Sequence, residues 1–340
     1  MKNIRITPPK SWIDLLTHYK VAINNQWYAN LFKIEDEFTS ATVDFYRTKG
    51  IRFAHLPITT GSISSPMGLG SDSSPVKINI SGVDTYLADS MQFFLEYACR
   101  INKKGAYYIA PSFRGELADE RHLCQFFHSE AEIPGTLNDV IVLCQDYLKY
   151  LVNHLLDKCR SEIVSVVGTT EHLEEFLKKW DKIPRCTFNE AVKILENKPI
   201  YVVNKGSFRD INREGEKKLM SYFGGYVWLT HFDHLAVPFY QKRDDKDPTK
   251  AVNADLLMGI GETIGSGERH SNVIELRKAL KMHNIEEQPY EWYIYMKEKY
   301  PLQTSGFGLG VERFLLWVLK HDDIRDCQLL PRFNGTKSAF

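Results

Sequence analysis

The stretch Ser305–Leu319, SGFGLGVERFLLWVL, places glycines at 306, 308 and 310, every second residue, directly before a Glu-Arg pair. Two phosphate-loop patterns fail on it. G-x-G-x-x-G needs a glycine at 311, where Val311 stands, and no Gly-Lys-Ser/Thr follows. Successive strand side chains point to opposite faces, so as a strand the segment puts Gly306, Gly308 and Gly310 on one face and Phe307, Leu309 and Val311 on the other. Interior strand glycines cost packing and entropy and are tolerated where a ligand or another backbone comes close. The bare face is a candidate floor for something flat; the alternative is a Gly-rich strand packed against a neighbouring helix. Phe314, Leu315, Trp317 and Val318 have the spacing of a buried helix face. Arg313 then falls in a first helical turn beside that floor, a cation set against the sign of the helix dipole.

The chain has 340 residues, 43% of them hydrophobic, enough to bury a sizeable core in one large domain or two. Lys plus Arg and Asp plus Glu each number 43, so no global basic field favours nucleic acid or an anionic membrane. Cysteines 99, 124, 144, 159, 186 and 327 form no C-x-x-C pair and read as reduced thiols. The N-terminal stretch MKNIRITPPKSWIDLL has no signal-peptide pattern, and nowhere do ~18 apolar residues run uninterrupted. A cytoplasmic protein with no membrane partner is expected.

Apolar positions from Leu31 to Phe45 recur at helical spacing, predicting a long amphipathic helix over about 27–49. It leads into IRFAHLPITT, a strand broken at Pro57, and together they offer a dimer surface. Residues 62–75 are Ser, Gly and Pro, a loop by composition. VKINISGVDTYLADS predicts a hairpin around Ser81-Gly82. Helical patterns follow at about 91–101, 137–160, 171–180 and 187–196, with the strand-like AYYIAPSF between the first two. KRDDKDPTK, 242–250, reads as a solvated turn. The division expected is an N-terminal extension over 1–27 and one catalytic domain over 28–340, with a helical segment at about 137–200.

Two further stretches carry chemistry. In PSFRGELADERHLCQFFHSEAEI, 111–133, a strand exits with Arg114 and Glu116 on one face, and a short loop presents Arg121 and His122. Guanidinium groups suit phosphate oxygens, which they grip bidentately, and Phe126 on the returning strand can stack on a flat base. A plain Arg114–Glu116 ion pair is the alternative. In NADLLMGIGETIGSGERHSN, 253–272, Asp255 and Glu262 flank an apolar segment and a Gly-x-Gly turn. Two hard carboxylates near phosphates suit Mg²⁺; a solvated carboxylate and an ordinary surface arginine at Arg269 are the alternatives.

Arg114 with Glu116, Asp255 with Glu262, and Gly306-x-Gly308-x-Gly310-x-Glu312-Arg313 occur in this order, and in that order the chain resembles the catalytic domain of class II aminoacyl-tRNA synthetases for aspartate, asparagine and lysine. FRGE…RHLCQF is similar to motif 2, GFGLGVERF to motif 3, and the long helix with His55-Leu56-Pro57 to the dimer-forming motif 1. GETIGSGER and IRDCQLLPRF are similar to further segments of the aspartyl and asparaginyl enzymes. The resemblance implies an α+β fold, an antiparallel sheet flanked by helices with ATP bent across it. It implies Arg114 on the α-phosphate, Arg121 and His122 on the outer phosphates, Phe126 and Arg313 around adenine with Glu116 at its amino edge, and Gly310 leaving room for the nucleotide. Asp255 and Glu262 would take Mg²⁺, and Arg114, Arg269 and Arg313 would be the catalytic cations. Arg269, Ser266, Ser90 and Gln92 would line the acid pocket.

Two departures set the functional expectation. Motif 1 begins by about residue 28, without the anticodon-binding barrel that precedes it in those synthetases. The Glu-Gly pair that receives the substrate's α-amino group in them has Ser, Gly and Pro in its place, beginning Ser62-Ile63-Ser64-Ser65-Pro66. Both resemble the freestanding asparagine synthetases of this subclass. The expectation is therefore an AMP-forming ligase that adenylates aspartate and passes it to ammonia, a homodimer with tRNA an unlikely partner. Alternatives are a tailoring ligase for another acid and amine, or an asparaginyl-tRNA synthetase-like paralogue acting as a regulator. Gln92, Leu95 and Glu96 resemble the asparaginyl pocket more than the lysine-bearing aspartate pocket, which leaves the acid open.

Overall fold

The computed structural model describes residues 5–64 and 74–339. The segment expected as a loop over 62–75 is therefore described only at its two ends. A short helix α1 (His18–Ala22) precedes α2 (Gln26–Lys49). Asn25 caps α2 by accepting the Trp27 N–H, and Gly50 ends it in the left-handed region at φ 70. Leu31, Ile34, Phe38, Ala41 and Phe45 form its buried stripe. Strands β1 (Arg52–Phe53) and β2 (Thr59–Thr60) lead to the hairpin of β3 (Val76–Ile80) and β4 (Val83–Leu87), which turns on Ser81 and Gly82, both at positive φ. Then come α3 (Gln92–Ile101), β5 (Ala106–Phe113), β6 (Gln125–Pro134), α4 (Leu137–Lys158), α5 (Arg160–Val167) and α6 (Glu171–Leu177).

The next stretch alternates: β7 (Arg185–Thr187), α7 (Phe188–Ile194), β8 (Val202–Asn204), β9 (Arg209–Ile211), α8 (Arg213–Tyr222) and β10 (Val227–Thr230). Phe188, Leu195, Val202, Ile211 and Leu219 give it a hydrophobic cluster of its own. The chain continues through β11 (Asn253–Met258), β12 (Gly261–Glu268), α9 (Val273–Met282), α10 (Glu291–Lys299), β13 (Thr304–Gly310) and α11 (Val311–Val318).

Eight strands form one sheet in the order β1-β5-β6-β13-β12-β11-β10-β7. Its six central strands are antiparallel, and only the edge strands β1 and β7 join in parallel. Paired residues share a face, so the register assigns the sheet's two sides. Ala131, Phe307, Ser266 and Ala254 form one row, and Ser129, Leu309, Ile264 and Leu256 another. Both rows lie on the side covered by α2 and α4, whose apolar stripes share their core with Phe307, Leu309, Ile264 and Leu256. The alternating rows run Glu132, Gly306, Gly267 and Glu130, Gly308, Gly265, Asp255 on the other side. The fold is α+β, a large antiparallel-dominated sheet flanked by helices. All six cysteines are buried and free, and no helix among the described residues is long and apolar enough to cross a membrane.

Candidate active site

The alternate glycines of β13 stand opposite Glu132, Glu130 and His128 of β6. A Cβ on Gly306 would lie 1.8 Å from Glu132 Oε2, and one on Gly308 3.1 Å from Glu130 Oε1. Much of the bare face is thus room for two neighbouring carboxylates. At Gly310 a Cβ would meet nothing nearer than Arg313 at 3.7 Å, and there the strip opens into a cleft.

This cleft collects Arg114, Glu116, Arg121, His122, Phe126, Glu262, Gly310 and Arg313. Strand β5 ends at Phe113, so Arg114 and Glu116 sit in the loop beyond it, not on a strand face as expected. They are not ion-paired to each other: Arg114 Nε and Glu116 Oε2 are both buried without a hydrogen-bond partner. Buried polar groups are nearly always satisfied, so these two atoms suit a cleft that receives a polar ligand. The Arg114 guanidinium lies 5.4 Å from the Phe126 ring centroid, a cation–π contact. Arg121 donates to Glu216 Oε2 at 3.0 Å, while His122, at the exposed mouth, pairs with Asp119 at 3.1 Å. The Glu-Arg pair of motif 3 splits. Glu312 accepts the Phe127 N–H and the Gln328 amide at 3.0 Å each, with burial pushing its carboxyl up to about 7. Arg313 turns to the cleft and donates to the Glu262 carbonyl at 2.6 Å.

Asp255 and Glu262 converge over Gly265, whose Cβ would lie 2.9 Å from Glu262 Oε1 and 3.7 Å from Asp255 Oδ1. Burial, then Glu262, then Glu216, hold Asp255 well above the ordinary carboxylate range. Among the described residues no group of three or more His, Cys, Asp or Glu is arranged to hold a metal. A crowded pair of carboxylates beside a cation-lined cleft fits Mg²⁺, which takes one or two carboxylates and completes its shell with phosphate and water.

Beyond the Glu132 end of the strip lies a second recess. Arg269, 2% exposed, donates to Glu132 at 3.1–3.3 Å, to Gln241 Oε1 at 3.2 Å and to Gln92 Oε1 at 3.2 Å. Gln92 also bonds the Tyr240 hydroxyl, and the Tyr240 ring lies 5.4 Å from the guanidinium. The Ser90 hydroxyl donates to Glu130 Oε2 at 2.6 Å, and His128 Nδ1 sits 3.0 Å from Glu130 Oε1. Ser266 is not part of this recess. It shares the helix-covered face with Phe307, and its hydroxyl bonds the Ala254 carbonyl at 2.5 Å, because the two-residue alternation of β12 turns it away from the face of Gly265 and Gly267. Leu95 is core, and Glu96 is fully buried in a salt bridge with Lys297. Sequence reasoning missed Glu130, Glu132, Gln241 and Tyr240. The alternation in SEAE was a signal for the first two; nothing local marks the others.

The family model described as tRNA synthetases class II (D, K and N) matches residues 14–334. An asparagine–tRNA ligase of Pyrococcus abyssi is 29% identical over 331 residues, 96% of this chain and 73% of the relative. A probable cytoplasmic asparagine–tRNA ligase of Encephalitozoon cuniculi is 32% identical over 269 residues, 75% of this chain and 58% of the relative. The chain thus spans about three quarters of one relative and less than two thirds of the other. The crystal structure of Pyrococcus horikoshii asparaginyl-tRNA synthetase complexed with asparaginyl-adenylate matches with a TM-score of 0.86 at 26% identity, over 98% of this chain and 74% of that one.

These likenesses overturn two expectations. The aspartate–ammonia ligase reading gives way, since the relatives are named for joining asparagine to tRNA, and so does the expectation that tRNA is an unlikely partner. There is a physical reason for the first. Arg269 already has its carboxylate in Glu132, so this guanidinium is not left free for a second carboxylate of aspartate.

Proposed function

The chain belongs to the class II tRNA synthetases of the D, K and N group, and from that premise we propose that it activates asparagine with ATP as the aminoacyl adenylate and transfers the asparaginyl group to tRNA. The observation that carries the choice of amino acid is the Arg269–Glu132 pair with Gln92 and Gln241 around it. A side-chain amide matches it: the amide oxygen accepts from the guanidinium and the NH₂ donates to Glu132. A carboxylate in the same place would face Glu132 in a buried recess.

In this reading Arg114, Arg121 and Arg313 receive the triphosphate in the cleft, with Glu116 and Phe126 on the base. An α-carboxylate oxygen of asparagine attacks the α-phosphorus, pyrophosphate leaves, and a tRNA hydroxyl then takes the acyl group with release of AMP. No side chain forms a covalent intermediate; the arginines supply fixed charge where charge develops. Asp255 and Glu262 would hold Mg²⁺, which neutralises phosphate charge when bound. The working form is a homodimer through α2 and the edge beside β1.

The test is ATP–pyrophosphate exchange with asparagine and aspartate in parallel, followed by charging of total tRNA with labelled asparagine. Exchange with asparagine and acid-precipitable charging are expected. Exchange with aspartate alone would refute the reading.

A further inference from the structure

Asp89 is a buried carboxylate for which the scheme above has no use; its chain neighbours are Ala88, whose carbonyl accepts the Phe113 N–H beside Arg114, and Ser90, whose hydroxyl donates to Glu130. Asp89 lies two residues beyond the end of β4 and is 3% exposed. Among the described residues its oxygens accept from Ser64, from the backbone N–H at 3.2 Å and the hydroxyl at 3.3 Å, and from its own backbone N–H. No Lys, Arg or His among the described residues forms a salt bridge with it. Its neighbour Ser90 holds Glu130, and the charges it feels are Arg114 on the cleft side and Glu130 on the recess side. Tyr240 of the recess feels Asp89 in turn.

The two acids at this junction differ in how far they are compensated. Glu130 has His128 at 3.0 Å and the Ser90 hydroxyl, and these hold its carboxyl below the ordinary range despite burial. Asp89 has neutral donors alone among the described residues, and burial pushes it up to about 6. An ionised carboxyl can accept about four hydrogen bonds, and a buried charge persists at low cost only when paired. What Asp89 lacks is a cation. The substrate brings one: an amino acid whose α-carboxylate is directed at Arg114 and whose side chain reaches Arg269 carries its ammonium between the two arginines, beside Asp89 and Glu130. Ser64 fastens Asp89 in place through its backbone N–H and its hydroxyl.

We propose that Asp89 is a carboxylate that receives the substrate's α-ammonium. The proposal rests on the amino-acid-activating reading above and adds the residue that tells an amino acid from the same acid without its amino group. Asp89→Asn keeps the shape and an acceptor for Ser64 while removing the charge.

The experiment is ATP–pyrophosphate exchange by the full chain with asparagine and with 3-carbamoylpropanoate, the analogue with hydrogen in place of the amino group. Wild type should prefer asparagine at least a hundredfold in kcat/KM. In D89N that preference should fall at least tenfold, through KM for asparagine, with the analogue's kcat/KM and KM for ATP unmoved. D89S is run alongside, so that misfolding of one variant does not decide. A structural role would lower both acids together, and that result overturns the proposal. If wild type activates a different amino acid, the asparagine reading fails, and the same ratio with that amino acid and its own desamino analogue decides Asp89. Exchange only with acids lacking an amino group, or none at all, overturns the proposal together with its premise.

Discussion

Gly306 and Glu132 occupy one volume. They are register partners on β13 and β6, and a Cβ on the glycine would stand 1.8 Å from Glu132 Oε2 and 2.7 Å from the Ala131 carbonyl. The glycine is what allows Glu132 to lie flat across the neighbouring strand and reach Arg269.

Gly306→Ala should therefore act through the ion pair. The methyl group cannot be absorbed by a flexible side-chain end alone, because backbone lies behind it. Displacing Glu132 leaves Arg269 buried with no carboxylate, which costs about 3–5 kcal/mol. Gly308→Ala, whose Cβ would lie 3.1 Å from Glu130 Oε1, asks a small shift of one side chain and should cost about 1 kcal/mol. Urea unfolding of both variants checks the order; equal midpoints would show that the glycines are not there for the carboxylates.

Arg114→Ala should leave the fold intact and slow adenylation. Its Nε has no partner in the cleft, and its main structural contact is the ring of Phe126. Loss of one pre-placed charge at the reacting phosphate should cost about 3–4 kcal/mol in the barrier, roughly a few hundredfold in exchange rate. Exchange near the wild-type rate would remove Arg114 from the chemistry.

The proposed dimer has a defined edge. Phe53 of the short edge strand β1 and Ile101 at the end of α3, 43% and 74% exposed, lie together. Sedimentation at micromolar concentration should show a dimer, and Ile101→Asp should shift it toward monomer. A fully active wild-type monomer would contradict the assignment.

How much of this was legible in the sequence varies with distance along the chain. The strand-then-helix reading of SGFGLGVERFLLWVL matches β13 and α11, and Asn25, Gly50 and Ser81-Gly82 stand where local chemistry puts caps and turns. What periodicity cannot supply is the occupant of a bare face. That Glu132 and Glu130 fill the space over Gly306 and Gly308 depends on which strand pairs with β13 and in what register, both set by chain remote in sequence. The recess shows the same limit: Arg269 and Gln92 were singled out, but their partners Glu132 and Gln241 come from other strands and loops. Ser266 was misplaced for the opposite reason, since a strictly local rule was available and gives the face the structure shows.

The acidic pair at the cleft makes its own prediction about pH. Folding holds Asp255 well above the ordinary carboxylate range through burial, Glu262 and Glu216. The native state therefore binds more protons than the unfolded chain once pH exceeds the ordinary value near ~4, and stability falls as pH rises through the raised native value. Asp255→Asn removes the group that must ionise against its neighbours. The variant should be more stable than wild type at pH 8, by about 1–2 kcal/mol, and the gap should close toward pH 4. Mg²⁺ should raise the melting temperature of wild type in the presence of ATP and leave that of D255N unchanged, because the cation binds where the carboxylates crowd. Melting curves across pH, with and without Mg²⁺ and ATP, check both halves. A wild type as stable at pH 8 as D255N, or an equal Mg²⁺ response in the two, would show that Asp255 and Glu262 do not form the strained pair described here.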